Sequence, residues 1–227
     1  MLRHKFDMEL QRLQDEVLVL GSRVEKALVR SVELLKQRDL AGSRQLIAGD
    51  QLINEQRYAL EAETIALIAT QQPMAGDMRL LAAILEIITE LERLGDYAKG
   101  IARINLAIGD KPLIKPIVDL PVMADKACQM LRRALDAFVR KDAALARAIP
   151  LQDDEVDALY NQVFRDLLSC IMSDAGALEQ ATYLLWAAHN LERTADRVIN
   201  ICERVVYTVT GEMRELDTDD TGIEGLA

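Results

Sequence analysis

The sequence has 227 residues, of which 50% are hydrophobic but only 4% aromatic, with 11 glycines and 5 prolines. This composition suits long helices and argues against a β-sandwich or β-barrel, and the length allows one domain or two small ones. The net charge of −10 disfavours nucleic acid as the main partner, since that would favour a basic face, and leaves cations and basic protein surfaces open.

The cysteines and the chain ends bear on the cellular compartment. Cys128, Cys170 and Cys202 form no CxxC motif, which indicates buried thiols in a reducing compartment rather than a disulfide framework. The N-terminal segment lacks the apolar stretch of a secretory signal, and no charge-free run reaches the roughly 18 apolar residues of a membrane helix. We therefore expect a soluble, cytoplasmic protein, with residues 212–227 forming an acidic, disordered tail.

Hydrophobic periodicity divides the chain into two similar halves. Apolar residues recur every three or four positions over 6–38, 43–71 and 77–108, which predicts three long amphipathic helices. Segment 109–116, with two prolines and a glycine, is predicted to be a linker. The pattern then restarts, predicting helices over 118–140, 153–172 and 177–210, with a break at Pro150 and an end at Gly211.

An acidic motif occurs once in each half. Glu92 and Asp96, with Arg93 after the glutamate, return 100 positions later as Glu192, Arg193 and Asp196. A second pair, Asp50 and Asn54, is matched by Asp153 and Asp157 in the other half. These matches indicate a tandem duplication. We predict an all-α fold of two three-helix bundles related by a pseudo-twofold axis, with repeats at residues 1–108 and 117–211.

The acidic pairs are the strongest candidates for a functional site. Residues four apart share one face of a helix, so the two carboxylates repel each other and need a cation, a basic partner or solvation. We expect each repeat to place its two pairs together on one exposed surface. Such oxygen-rich sets suit hard divalent cations or iron. The candidate metal ligands are Asp50, Asn54, Glu92, Asp96, Asp153, Asp157, Glu192 and Asp196.

Several alternatives stay open at this point. Arg93 and Arg193 are interpreted as ion-pair partners of a neighbouring helix, or else as anchors at a partner interface. His189 precedes the second motif, but without a counterpart in the first repeat it is interpreted as polar packing. The sequence contains no P-loop, no dinucleotide-binding turn and no nucleophile motif. A non-catalytic bundle is therefore favoured over a carboxylate-bridged metalloenzyme or a scaffold with solvated acids.

The motifs together resemble the PhoU family. The resemblance rests on the repeated E-R-x-x-D, the segment QPMAGDMR at 72–79 and FDMEL at 6–10, and it extends over residues 6–215. It implies a dimeric, cytoplasmic, all-helical negative regulator of phosphate-specific transport and of the phosphate-starvation response. The implied partners are the nucleotide-binding subunit of a phosphate ABC transporter and a sensor histidine kinase, so that the membrane is met only through partners.

The resemblance also bears on cofactors. No cofactor is required in this family, but some members bind metals at the two acidic patches, and iron, zinc, manganese or magnesium are the candidate ions. Those patches fall on the eight residues given above. Asn54 stands where the second repeat has Asp157, which makes the first patch less charged.

Overall fold

The computed structural model describes the backbone of residues 2–216 and the side chains of residues 4–216. All regular elements in this part of the chain are helical, which confirms the predicted all-α fold; residues 217–227 of the predicted tail lie outside it. None of the helices within residues 2–216 combines the length and apolar composition needed to cross a bilayer. The helices are α1 (Leu2–Gln37), α2 (Leu40–Gln71), α3 (Ala75–Ile108), α4 (Asp119–Arg140), α5 (Ala143–Ala148), α6 (Asp153–Ser173) and α7 (Leu178–Thr210), with 3-10 turns at Pro150–Gln152 and Ala175–Ala177.

The connection between the first two helices has the same local structure in both repeats. Arg38 and Lys141 both adopt a left-handed backbone conformation, with φ of 60° and 52°. The aspartate that follows each of them, Asp39 or Asp142, accepts a hydrogen bond from a backbone N–H three residues further on, at 2.8 and 2.9 Å. An aspartate at this position satisfies a donor that the helix itself leaves unpaired. The internal duplication is therefore visible in the backbone as well as in the sequence.

The two repeats pack against each other through α3 and α7, and through α1 and α4. Glu90 of α3 lies near Arg197 of α7, at 3.7 Å, whereas Gly100 faces Asn190, so the two helices are antiparallel. Within each repeat the long helices also run in alternating directions. One continuous hydrophobic core extends across both repeats, and each fully buried leucine or isoleucine in it contributes about 2 kcal/mol to stability.

The segment between the repeats is fixed onto the second repeat. Gln180 of α7 accepts a hydrogen bond from the Ile114 N–H at 2.6 Å and donates one to the Pro112 carbonyl at 2.9 Å. The Lys115 ammonium lies 2.5 Å from a carboxylate oxygen of Asp166. The two prolines keep this segment out of a helix. Gln180 therefore supplies the hydrogen bonds for its backbone N–H and carbonyl groups, and the Lys115–Asp166 ion pair adds a side-chain contact.

The repeats differ in their second helix. In the first repeat α2 runs unbroken from Leu40 to Gln71, but in the second repeat Pro150 separates the short α5 from α6. Proline cannot donate a backbone hydrogen bond inside a helix, so the chain bends there. As a result α5 packs against α4 and α7, and Ala146 and Ile149 are fully buried.

Cys128 and Cys202 are buried in the core, whereas Cys170 is only partly buried, and all three are free thiols. Burial raises the pKa of both Cys128 and Cys202 to about 12. The thiols of these two residues are therefore protonated at neutral pH and act as small apolar groups.

Candidate functional site

The acidic patch of the first repeat already contains a cation of the protein itself. The Lys99 ammonium lies 2.5 Å from Asp50 Oδ2 and 3.3 Å from Asp96 Oδ1. Asn54 Nδ2 donates to the same Asp50 oxygen at 3.4 Å. The Asp50 hydrogen bond raises the pKa of Lys99, because it stabilises the charged form. The structure thus brings α2 and α3 together as expected, but an exposed surface is wrong for Asp50, whose side chain is 4% exposed.

The pKa of Glu92 in this patch is raised by its surroundings. Burial raises its pKa, and the charges of Asp96 and Asp50 add to the effect, while Arg57 and Arg93 oppose it. The pairs on α2 and α3 are therefore close enough to interact. Because Lys99 provides a positive charge between them, the first patch is largely compensated without a metal ion.

The second patch has no lysine at the position of Lys99. Burial, with smaller contributions from the charges of Asp196 and Asp157, raises the pKa of Glu192 to about 7, and the charge of Arg193 opposes this rise. His189 Nδ1 lies 3.1 Å from Glu192 Oε2, and Arg193 pairs with the other carboxylate of the motif, Asp196. The raised pKa means that the charged form of Glu192 is disfavoured in the folded protein, and a cation beside it would favour ionisation.

The difference between the patches comes from one position on the third helix of each repeat. Lys99 in α3 corresponds to Ile199 in α7, which carries no charge. The remaining acid of the second repeat, Asp153, is the first residue of α6 and lies one turn before Asp157. Within residues 4–216, no three His, Cys, Asp or Glu side chains are already arranged to hold a metal ion. Any ion at the second patch must therefore draw the carboxylates together by side-chain rotation.

The two motif arginines pair within their own helices. Arg93 Nη1 lies 2.8 Å from Glu90 Oε1, and Arg193 Nη1 lies 3.0 Å from Asp196 Oδ2. The interpretation as ion pairs with a neighbouring helix is therefore wrong. Their side chains are 46% and 40% exposed, so the role as partner anchors stays a prediction.

Sequence reasoning missed three residues that join the two repeats beside these motifs, namely Glu90, Tyr97 and Arg197. Arg197 of α7 lies 3.7 Å from Glu90, whose side chain is 8% exposed, and donates to the Tyr97 hydroxyl at 3.4 Å. Tyr97 and Arg197 directly follow the motif aspartates, so aligning the two copies could have pointed to them. Lys99 was also detectable, because it follows Asp96 by three positions and so lies on the same helical face.

Comparison with known proteins identifies the family to which both repeats are similar. The family model described as "PhoU domain" matches residues 17–104 and 120–205. A Clostridium acetobutylicum protein named "Phosphate-specific transport system accessory protein PhoU homolog" is 35% identical, over 96% of this chain and 100% of that protein. The Escherichia coli (strain K12) protein of the same name without "homolog" is 33% identical, over 92% of this chain and 86% of that protein.

Solved structures support the same relationship. The "phosphate transport system regulatory protein PhoU from Streptococcus pneumoniae" has a TM-score of 0.84 at 31% identity and covers 92% of this chain and 99% of its own. PhoU from Pseudomonas aeruginosa has a TM-score of 0.83 at 32% identity and covers 91% and 100%. These names describe accessory and regulatory proteins rather than enzymes, so the carboxylate-bridged enzyme is not favoured. The chain belongs to the PhoU family.

Proposed function

We propose that this protein is a cytoplasmic regulator of phosphate uptake that represses the phosphate-starvation response when phosphate is plentiful. The observation that carries the proposal is the match of both repeats, over nearly the whole chain, to proteins named as accessory to phosphate-specific transport. The first acidic patch is consistent with this role, because its carboxylates pair with Lys99 of the protein itself.

The test is a reporter of a phosphate-starvation gene in cells that lack this chain. We expect the reporter to be expressed even at high phosphate, and the wild-type gene supplied in trans should restore repression. Normal repression in the deletion strain would refute the regulatory proposal. The negative control for complementation is a variant that no longer folds because three core residues have been substituted.

The proposed partners are the nucleotide-binding subunit of a phosphate ABC transporter and a sensor histidine kinase, met by a homodimer of this chain. The half-exposed guanidinium groups of Arg93 and Arg193 suit such interfaces, where arginine is a frequent anchor. Co-purification with each partner tests this, with sedimentation for the dimer. Alanine at both arginines should weaken at least one interaction while leaving the melting temperature within about 2 °C. Unchanged binding to both partners would remove the arginines from the interface.

We further propose that a divalent cation or iron binds at the second patch and not at the first. The observation behind this is the raised pKa of Glu192, together with isoleucine at the position of Lys99. A cation there would relieve carboxylate repulsion, and binding to the folded state alone raises stability. Magnesium would use only oxygen ligands, whereas zinc or iron could also engage His189.

Thermal unfolding with added manganese, zinc, iron or magnesium tests the metal proposal. Alanine at Glu192 and Asp196 should abolish the metal-dependent rise in melting temperature. Alanine at Glu92 and Asp96 is the matched control and should leave the rise unchanged. If both variants lost the metal-dependent rise in melting temperature equally, the two patches would be equivalent. If the wild type showed no such rise, the metal proposal would be refuted and the acids would be interpreted as solvated.

A further inference from the structure

A cleft with a volume of about 490 Å³ lies between α1 and α2 of the first repeat. Leu46 and Ile53 of α2 line it with aliphatic carbon, and the backbone of Gly95 on α3 lies at its base. Asp50 also borders the cleft, but its carboxylate is paired with Lys99. The floor therefore suits apolar side chains of a ligand, since water next to aliphatic carbon is readily displaced.

The α1 wall of the cleft carries three cations at helical spacing, Arg23, Lys26 and Arg30. Arg30 is partly occupied, because its guanidinium lies 3.4 Å from Glu33 and 3.6 Å from Asp39. Among the residues that the structure describes, neither Arg23 nor Lys26 forms a hydrogen bond or an ion pair, and both are exposed. In a chain of net charge −10, such an unpaired group favours a negatively charged ligand.

The cation at the corresponding position of the second repeat is paired within the protein. In the register set by the two capping aspartates, Arg23 corresponds to Lys126, and Lys126 forms an ion pair with Glu155 of α6. Glu155 in turn corresponds to Leu52 of α2, which is 54% exposed at the edge of the cleft. The first repeat therefore has an exposed leucine where the second repeat has the carboxylate that pairs with this cation.

The chain follows a different path at the corresponding place in the second repeat. The break at Pro150 lets α5 pack onto α4 and α7, and Ile149 is fully buried. The matching residue of the first repeat, Leu46, is only partly buried, because α2 continues without a break. The second repeat thus buries Ile149, whereas the first repeat leaves Leu46 partly exposed at the cleft.

We propose that this cleft docks an acidic, amphipathic helical segment of a partner protein. Aliphatic side chains of that segment contact Leu46 and Ile53, and its carboxylates pair with Arg23 and Lys26, as in other grooves that receive one face of a helix. A small inorganic anion would leave the apolar floor unused. Nucleic acid would be repelled by the net charge of the chain outside the cleft.

The experiment measures binding of a labelled synthetic peptide to the full chain by fluorescence anisotropy. The probe is a helical peptide of about 16 residues with glutamates along one face and leucines along the other. Arg23→Glu with Lys26→Glu should weaken its binding by about tenfold or more. Lys126→Glu, at the corresponding position of the second repeat, is the matched control and should leave the affinity unchanged. A peptide with lysines in place of the glutamates should not bind.

Three results would overturn the proposal. The first is equal affinity of the acidic peptide for the wild type and the Arg23→Glu, Lys26→Glu variant. The second is an affinity that rises about tenfold when the chain is shortened after Leu216, because the groove would then serve the acidic end of the chain itself. The third is loss of self-association in the variant, measured by sedimentation, because the occupant would then be a second copy.

Discussion

Replacing Lys99 by methionine removes a positive charge and keeps most of the aliphatic side chain. In the wild type the ammonium lies 2.5 Å from Asp50 Oδ2, and the two side chains are 20% and 4% exposed. Removing one member of a buried ion pair costs about 3–5 kcal/mol. Because Lys99 is one-fifth exposed, we expect a loss at the low end of this range, about 3 kcal/mol at neutral pH.

Urea unfolding followed by circular dichroism measures this loss. Lys111→Met is the matched control, since the Lys111–Glu179 pair has a similar distance of 2.9 Å but side chains 69% and 63% exposed. That variant should unfold at nearly the same urea concentration as the wild type, because a fully exposed ion pair contributes little to stability. Adding Asp50→Asn to Lys99→Met should recover much of the stability, because the unpaired carboxylate is then absent. If Lys99→Met lost no more than Lys111→Met, the first patch would not depend on its internal cation.

Three further changes test other parts of the account. Glu192 has a pKa of about 7 in the folded protein against an ordinary 4.5, so the free energy of unfolding should fall as pH rises between these values, and Glu192→Gln should flatten that slope in urea titrations. Asn105→Leu should cost about 1–3 kcal/mol by the same method, because the buried amide donates to the Leu34 carbonyl at 3.1 Å. Arg197→Met should cost about 1 kcal/mol, since Glu90 keeps its pairing with another arginine.

The fold followed from periodicity and repetition. The six long helices could be located because apolar residues recur at helical spacing and because proline or glycine marks the boundaries at 73–76, 109–116 and 150. The helix α5 was not predicted. It has only six residues, Ala143–Ala148, which is too short for periodicity to distinguish it from a loop.

The candidate site was less accessible to sequence reasoning. The spacing of Glu92 and Asp96 fixes their common face, but it does not reveal which side chains of other helices reach them. The pairing of Lys99 with Asp50 depends on the crossing of α3 and α2. The charged wall of the cleft was also missed, because Arg23 and Lys26 resemble the solvated face of any amphipathic helix until the second repeat is laid beside them.

The claim at the centre of this account is that two repeats of the same fold differ in how their acidic motifs are compensated. Native mass spectrometry with added manganese counts the ions bound to each chain and tests this most directly. We predict one ion for the wild type, none when Glu192 and Asp196 are replaced by alanine, and a second ion when Lys99→Met frees the first patch. Two ions on the wild type, or one ion that persists without Glu192 and Asp196, would contradict it.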